Sequence, residues 1–384
     1  MKKKVKGAVI VEPRKVEVQE FPYPKLEEGS MLMKMEMSGI CGTDKHSYKG
    51  EDRLYAGTER ETTVNYPIIP GHENVGIIAE VTREGKKNLE FYGQELKEGD
   101  RVVMCCDTIC GKCYECRHSF GYTWCKNFQT YGLTISCKEY PHLFGGWAEY
   151  MYIIPGVFIY KVPDGLPPEL AVFTELMANT YCLDKAKEFF SMPGEGFASM
   201  DTVLIQGVGP LGLLNAAKAR ILGAGDIIAI DKSKFRLEMA KKFGTDYIID
   251  ASETTGEERI KAVKDLTKGR GPDVIVDCVG TPEIFLEGLE MLSNGGLFIE
   301  EGAYTETGTV PISPHRHILA KSARIIGMAN HPIWGYYPSM QLVQKYSKVF
   351  PFEKFVTHKY KIDDAEEAIK KSMDLDSMKV VITP

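Results

Sequence analysis

Residues 202–223, TVLIQGVGPLGLLNAAKARILG, set a short β-branched apolar run directly against three glycines, Gly207-x-Gly209-x-x-Gly212, and follow them with apolar residues at helical spacing. A buried strand that turns at once into a helix is the one setting in which this glycine spacing carries weight. There the glycines permit a tight turn and close backbone approach, so that a pyrophosphate sits against the free amides of the helix start, with Pro210 and Leu211 in its first turn. Asp231 follows Gly212 by 19 residues, at the end of the apolar run DIIAI. A carboxylate at that place accepts the adenosine ribose hydroxyls and repels a 2′-phosphate, which favours NAD over NADP. Lys232 and Arg236 stand close by; turned inward, they would take a phosphate, and Arg236 is counted with the cofactor-binding residues.

Outward from this stretch the pattern alternates: strand DIIAI, helix KFRLEMAKKFG, strand YIID, helix EERIKAVKDLT, strand DVIVDCV, helix EIFLEGLEML, strand LFIEE. Strand and helix in alternation with short links predict a parallel, doubly wound sheet. RIIGM reads as a further strand, followed by helices around SMQLVQKYSKV and DAEEAIKKSMD and a last strand KVVIT. Upstream the texture differs. From Met1 to about Asp164, short β-rich runs are broken by Gly, Pro and charged turns, as in an irregular β domain. Pro167 and Pro168 then introduce ELAVFTELMANTYCLDKAKEFF, which reads as helical. The expected organisation is therefore a domain split between 1–168 and 326–384, with a nucleotide-binding domain at 169–325 inserted.

The chain has 384 residues, 43% hydrophobic and 26% charged, and 47 basic against 53 acidic residues give a net charge of −6. That balance argues against a nucleic-acid or acidic-membrane surface and for small-molecule partners. The basic opening MKKKVKGAVIVEP is cut by Glu12 and Pro13, short of the ~7–15 apolar residues of a signal peptide. No run reaches the ~18 apolar residues of a membrane span. A cytoplasmic protein is expected.

Seven of the ten cysteines fall between Cys105 and Cys137. Cys110-x2-Cys113-x2-Cys116-x8-Cys125 supplies four soft ligands around Gly111, which predicts a closed structural zinc site. Free or disulfide-paired thiols are the plainer alternative. A nucleic-acid-binding zinc module would gather positive charge, yet Lys112, Arg117 and Lys126 face Asp107 and Glu115. Cys105, Cys106 and Cys137 read as buried small residues. Two further glycine-flanked segments carry metal-capable side chains: Gly39-Ile40-Cys41-Gly42-Thr43-Asp44-Lys45-His46 and Gly71-His72-Glu73-x-x-Gly76.

Together the CGTD-x-H segment, the GHE-x-x-G segment, the four-cysteine lobe, the stretch from Gly145 to Tyr150 and the glycine turn occur in an order that resembles the zinc-containing medium-chain alcohol and polyol dehydrogenases. The likeness is nearest to the sorbitol, glucose and threonine dehydrogenase branches and covers nearly the whole chain. It implies an α/β protein with a GroES-like irregular β catalytic domain and a Rossmann NAD-binding domain. It implies two zinc ions per chain, one catalytic and one structural, with NAD as the cofactor. By this resemblance Cys41 and His72 are catalytic zinc ligands, Glu73 is a third or an exchangeable ligand, and Glu175 binds the metal directly or through water. Such a site wants about three protein ligands and one open place for the substrate oxygen. Thr43 resembles the first member of a proton relay, and His46 is suited to carry the proton out at neutral pH.

The implied reaction is reversible hydride transfer between NAD and a secondary hydroxyl of a polyol, cyclitol or sugar, by a homo-oligomer, a dimer or tetramer. L-Threonine 3-dehydrogenase, a simple secondary alcohol dehydrogenase and a non-catalytic NAD- and zinc-binding regulator are the alternatives. The sequence departs from the family pattern in five places: an extra residue before Cys125, Leu176 in place of a proline, longer stretches at 50–67 and at 83–99, and Glu300 with Glu301 where apolar residues are usual. Those two glutamates either bind hydroxyls or point to solvent.

Overall fold

The computed structural model describes residues 4–59, 61–118, 124–188 and 196–384. Two compact units emerge. One comprises Met1–Ala178, Pro332–Ser347 and Phe352–Pro384; the other comprises Asn179–His331 and Lys348–Pro351.

In the first unit a seven-stranded sheet runs in the order Ile159–Lys161, Arg101–Met104, Glu73–Val81, Met31–Gly39, Lys379–Thr383 and Val356–Lys361, with Tyr150–Ile153 also paired to Met31–Gly39. The central pairings are antiparallel, and the stretches between these strands, residues 40–72 and 82–100, are long. The last strand of the chain sits beside Met31–Gly39, so the C-terminus completes a sheet begun at the N-terminus. Alternating Met31, Met33 and Met35 bury into a core with Ile68, Ile78, Trp147, Tyr152 and Ile369. The longer stretch at 50–67 contains a two-stranded hairpin, Arg53–Leu54 with Thr62–Thr63, tied by Arg53 to Glu61. That at 83–99 opens with a helix, Arg83–Asn88, capped by the Thr82 hydroxyl.

The second unit is a six-stranded, wholly parallel sheet in the order Tyr247–Asp250, Ile227–Asp231, Val203–Gln206, Val274–Asp277, Leu297–Glu300, Arg324–Gly327. The first of these strands in the chain, Val203–Gln206, lies inside the sheet, so the strand order reverses at its edge. This is the switch point where doubly wound sheets take their ligands. Its inner strands Val203–Gln206, Ile227–Asp231 and Val274–Asp277 are buried along their whole length, as parallel strands covered on both faces are, while the edge strands Tyr247–Asp250 and Arg324–Gly327 are partly exposed. Arg324–Gly327 straddles the boundary expected at 325/326 and belongs wholly to this sheet.

One expected element differs. The stretch 169–190 is not a single helix: it forms Pro168–Ala171, Thr174–Asn179 and Cys182–Glu188, and residues 189–190 lie outside the described residues. Apolar spacing alone does not distinguish a continuous helix from turns of helix joined by bends, since both place Leu170, Val172, Phe173, Leu176 and Met177 in the interior.

Candidate functional site

Cys41 stands at the start of the helix Gly42–Lys49, and its backbone N–H donates to Asp44 Oδ2 at 2.8 Å. The other oxygen, Oδ1, accepts from Gly71 N at 3.3 Å. Asp44 is fully buried, and through these two bonds it clamps together the two loops that carry Cys41 and His72. Gly71 tolerates no side chain: at φ +93° a Cβ would lie 2.4 Å from Ser38 Oγ and 2.5 Å from the Trp147 ring. Gly39 has the same constraint, since a Cβ there would come within 2.2 Å of Glu73 Oε2.

Cys41, His72 and Glu73 present ligand atoms within 4.8 Å of one another. His72 Nδ1 is buried and makes no hydrogen bond; its nearest anion is Asp44 Oδ1 at 3.7 Å. Burial works against a charged imidazole, but the negative charges of Asp44, Cys41 and Glu175 outweigh it and push His72 well above its ordinary value. A thiol, a ring nitrogen without a partner and an excess of buried acid are a donor set that wants a cation, and zinc fits it.

Glu73 has a partner that the sequence did not announce. Lys379 Nζ meets Glu73 Oε1 and Oε2 at 2.7 Å each and also reaches Ile40 O at 3.2 Å; the two side chains are 1% and 0% exposed. Both carboxylate oxygens are thus engaged, which leaves Glu73 less available as a first ligand than its distance alone suggests. Glu175, in Thr174–Asn179, is buried, and its carboxylate lies within 4.8 Å of Cys106 Sγ rather than in the group formed by Cys41, His72 and Glu73. Its charge nevertheless reaches His72 and Lys379. Thr43 Oγ1 is 3.7 Å from Cys41 Sγ. His46 Nδ1 is hydrogen bonded to Glu51, with its side chain 32% exposed, so this imidazole has an orienting partner and access to water.

The lobe of four cysteines closes as spaced. Cys110, Cys113, Cys116 and Cys125 sulfurs gather within 4.8 Å, Gly111 takes a positive φ of 66°, and Cys110 N donates to Cys125 Sγ at 3.3 Å. Hydrogen bonds from the Asn127 side chain and from the amides of Lys112 and Cys113 hold the Cys110 thiol down to about 6, a thiolate at neutral pH. All ten cysteines are free of disulfides. Cys105, Cys106 and Cys137 are buried.

In the second unit, Gly207 takes φ +82°, and Gly212 packs so tightly under it that a Cβ would lie 1.8 Å from Gly207 O. Gly209 caps the helix Pro210–Ile221, whose first turn carries Pro210 and Leu211. Asp231 Oδ2 accepts from Val208 N at 2.8 Å and Oδ1 from Ser233 N at 2.8 Å, so this carboxylate also holds the glycine turn in shape. The Arg236 guanidinium lies 3.7 Å from where a Cβ on Gly209 would stand, above the same turn.

An irregular β unit in which Cys41, His72 and Glu73 converge, a four-cysteine lobe and a doubly wound unit with a glycine turn are together the features of a zinc-dependent dehydrogenase. Residues 27–164 match the alcohol dehydrogenase GroES-like domain, and residues 210–344 match the zinc-binding dehydrogenase domain. The chain belongs to the zinc-containing medium-chain alcohol dehydrogenase family; it is an oxidoreductase that works with zinc and NAD(P). Among its relatives, 5-exo-hydroxycamphor dehydrogenase of Pseudomonas putida is 31% identical over 365 residues, covering 95% of this chain and 94% of that one. L-Threonine 3-dehydrogenase of Pyrococcus horikoshii is 33% identical over 356 residues, covering 92% and 91%. A crystal structure of an alcohol dehydrogenase from Thermotoga maritima superposes with a TM-score of 0.87 at 30% identity, covering all of both chains. No helix among the described residues is long and apolar enough to cross a membrane.

Proposed function

We propose that this enzyme oxidises a secondary hydroxyl of a polyol, cyclitol or sugar to a ketone or lactone with NAD, reversibly. The observation that carries the reading is the acid-rich surroundings of His72: Glu73 lies in one group with Cys41 and this imidazole, and the charges of Asp44 and Glu175 reach it. A site so polar suits a substrate with several hydroxyls better than a small apolar alcohol. We assign Cys41 and His72 as zinc ligands, Glu175 as a ligand direct or through water, Glu73 as exchangeable, and Cys110, Cys113, Cys116 and Cys125 as holders of the structural ion. Bound there, zinc would supply Lewis acidity to the substrate hydroxyl and NAD would supply the hydride acceptor. Thr43 takes the hydroxyl proton at Oγ1 as it hands its own on toward His46, and His46, oriented by Glu51, passes a proton to water.

A panel of polyols, aldoses and amino alcohols assayed with NAD and NADP, beside metal analysis, tests the reading. Saturable oxidation of several polyols supports it, whereas turnover confined to 2-amino-3-hydroxy acids replaces it with the second reading, threonine 3-dehydrogenase, which the relative from Pyrococcus horikoshii favours. Binding of NAD without turnover of any alcohol would make the chain a regulator.

Asp231→Ala is expected to lower kcat/KM with NAD by about 10- to 100-fold, the worth of charge-assisted hydrogen bonds at ~1.5–3 kcal/mol, while NADP gains or holds. An unchanged NAD/NADP ratio would remove Asp231 from cofactor selection. The family resemblance further supports a cytoplasmic homo-oligomer, dimer or tetramer, with no nucleic-acid or membrane partner; light scattering on the purified protein checks the assembly.

A further inference from the structure

Three carboxyls meet at the carboxyl ends of two neighbouring strands in the parallel sheet. Asp277 ends Val274–Asp277, Glu300 ends Leu297–Glu300 directly beside it in register, and Glu301 follows. Each is already partly committed. Asp277 Oδ1 accepts from Val279 N at 2.8 Å and Gly280 N at 3.1 Å, and Glu300 Oε1 from Gly302 N at 2.9 Å and Ala303 N at 2.8 Å. Glu301 Oε2 accepts from Asn215 Nδ2 at 3.0 Å. Asp277 is fully buried, and its Oδ2 has no hydrogen-bonded partner.

The other titratable groups facing the cluster are thiols: Cys278 on the strand end and Cys182 from the helix Cys182–Glu188. Among the described residues no lysine, arginine or histidine pairs with any of the three carboxyls. Burial, then the charge of Asp277, pushes Glu300 up to about 8, and burial pushes Glu301 up to about 7 and raises Asp277. At neutral pH the cluster keeps protons because no positive group among the described residues is there to replace them.

The strand order says what is positive. Val203–Gln206, which leads into the glycine turn, has Ile227–Asp231 on one side and Val274–Asp277 on the other. Asp231 marks the adenosine ribose side, so the nicotinamide half of a dinucleotide extends over the ends of Val274–Asp277 and Leu297–Glu300. We propose that Asp277, Glu300 and Glu301 determine the preference for the oxidised cofactor: the cationic nicotinamide ring of NAD+ takes the place of a carboxyl proton, which leaves to solvent, and neutral NADH displaces none. The proposal rests on the reading of Gly207–Gly212 as the nucleotide turn. The sign follows from the charge. A cation favours the ionised carboxyls, so NAD+ binds more tightly as pH rises through 7 to 8, and the affinity levels off above.

Calorimetric titration of the zinc-loaded full chain with NAD+ and with NADH, in buffers of different ionisation heat from pH 6 to 9, reads both affinity and proton release. Expected for the parent protein is about a tenfold gain in NAD+ affinity between pH 6 and 8, which corresponds to a mean release of about half a proton over that range, and a flat NADH profile. Glu300→Gln, a neutral side chain able to donate to Asp277 Oδ2, should lose most of that slope and release; Asp277→Asn, the second variant, should do the same. A variant that retains the parent's release, or an NADH slope equal to that of NAD+, overturns the proposal while leaving the nucleotide turn intact. If neither nucleotide binds the parent, the reading of the turn falls and the proposal with it.

Discussion

Cys41→Ser protein is expected to hold one zinc equivalent per chain where the parent holds two, and to oxidise its alcohol about a thousandfold more slowly, since a Lewis-acidic metal contributes several kcal/mol to the transition state. The fold should survive. Cys41 occupies the N-cap of Gly42–Lys49, a position at which serine is among the preferred residues, and the Asp44 clamp uses the backbone amide of residue 41, not its side chain. Elemental analysis of metal, a thermal melt and the rate form one experiment. An unchanged melt with half the zinc and little activity is the expected triple. A variant with full zinc and near-parent activity would take Cys41 out of the metal site.

The second large effect concerns stability. Lys379→Met removes the cation that touches both oxygens of Glu73, a side chain 0% exposed, and strands a charge in the core of the first unit. Breaking a buried pair from one side costs about 3–5 kcal/mol. The double variant Glu73→Gln with Lys379→Met should recover a substantial part of this loss, because neither buried charge remains. Denaturant unfolding of the parent, both singles and the double measures the coupling. Additive losses, with no recovery in the double, would show that the ion pair is not what Lys379 contributes.

The difference between these two residues shows where sequence reading stops. Cys41 lies in a local string, CGTD-x-H, whose residue types announce metal chemistry. Lys379 lies 306 residues from Glu73, at the start of a short apolar strand that any β protein could use to end its chain. Nothing around it in sequence says that its ammonium is buried; that follows only when Lys379–Thr383 pairs with Met31–Gly39 and its first residue points inward at Glu73. Asp44 is intermediate. It sits inside the quoted string, yet its work, accepting amides from residue 41 and from residue 71, exists only once the two loops meet. The stretch 169–190 failed for a different reason, because bends between short helices leave the apolar period unbroken.

What the sequence determined by itself is whatever depends on neighbours a few residues apart. The glycine turn, the carboxylate of Asp231 at the end of the next strand, the four-cysteine lobe and the strand-helix alternation are all of this kind, since turn geometry, cysteine spacing and hydrophobic period are local properties. Tertiary structure alone decided which charges share a space. It gave Glu73 a lysine, grouped Glu175 with Cys106, and brought Asp277 and Glu300 side by side on adjacent strands with no cation among the described residues between them. The physical reason is that the energy of a buried charge depends on what is packed within a few ångströms of it, and in this chain those neighbours come from residues tens to hundreds of positions away.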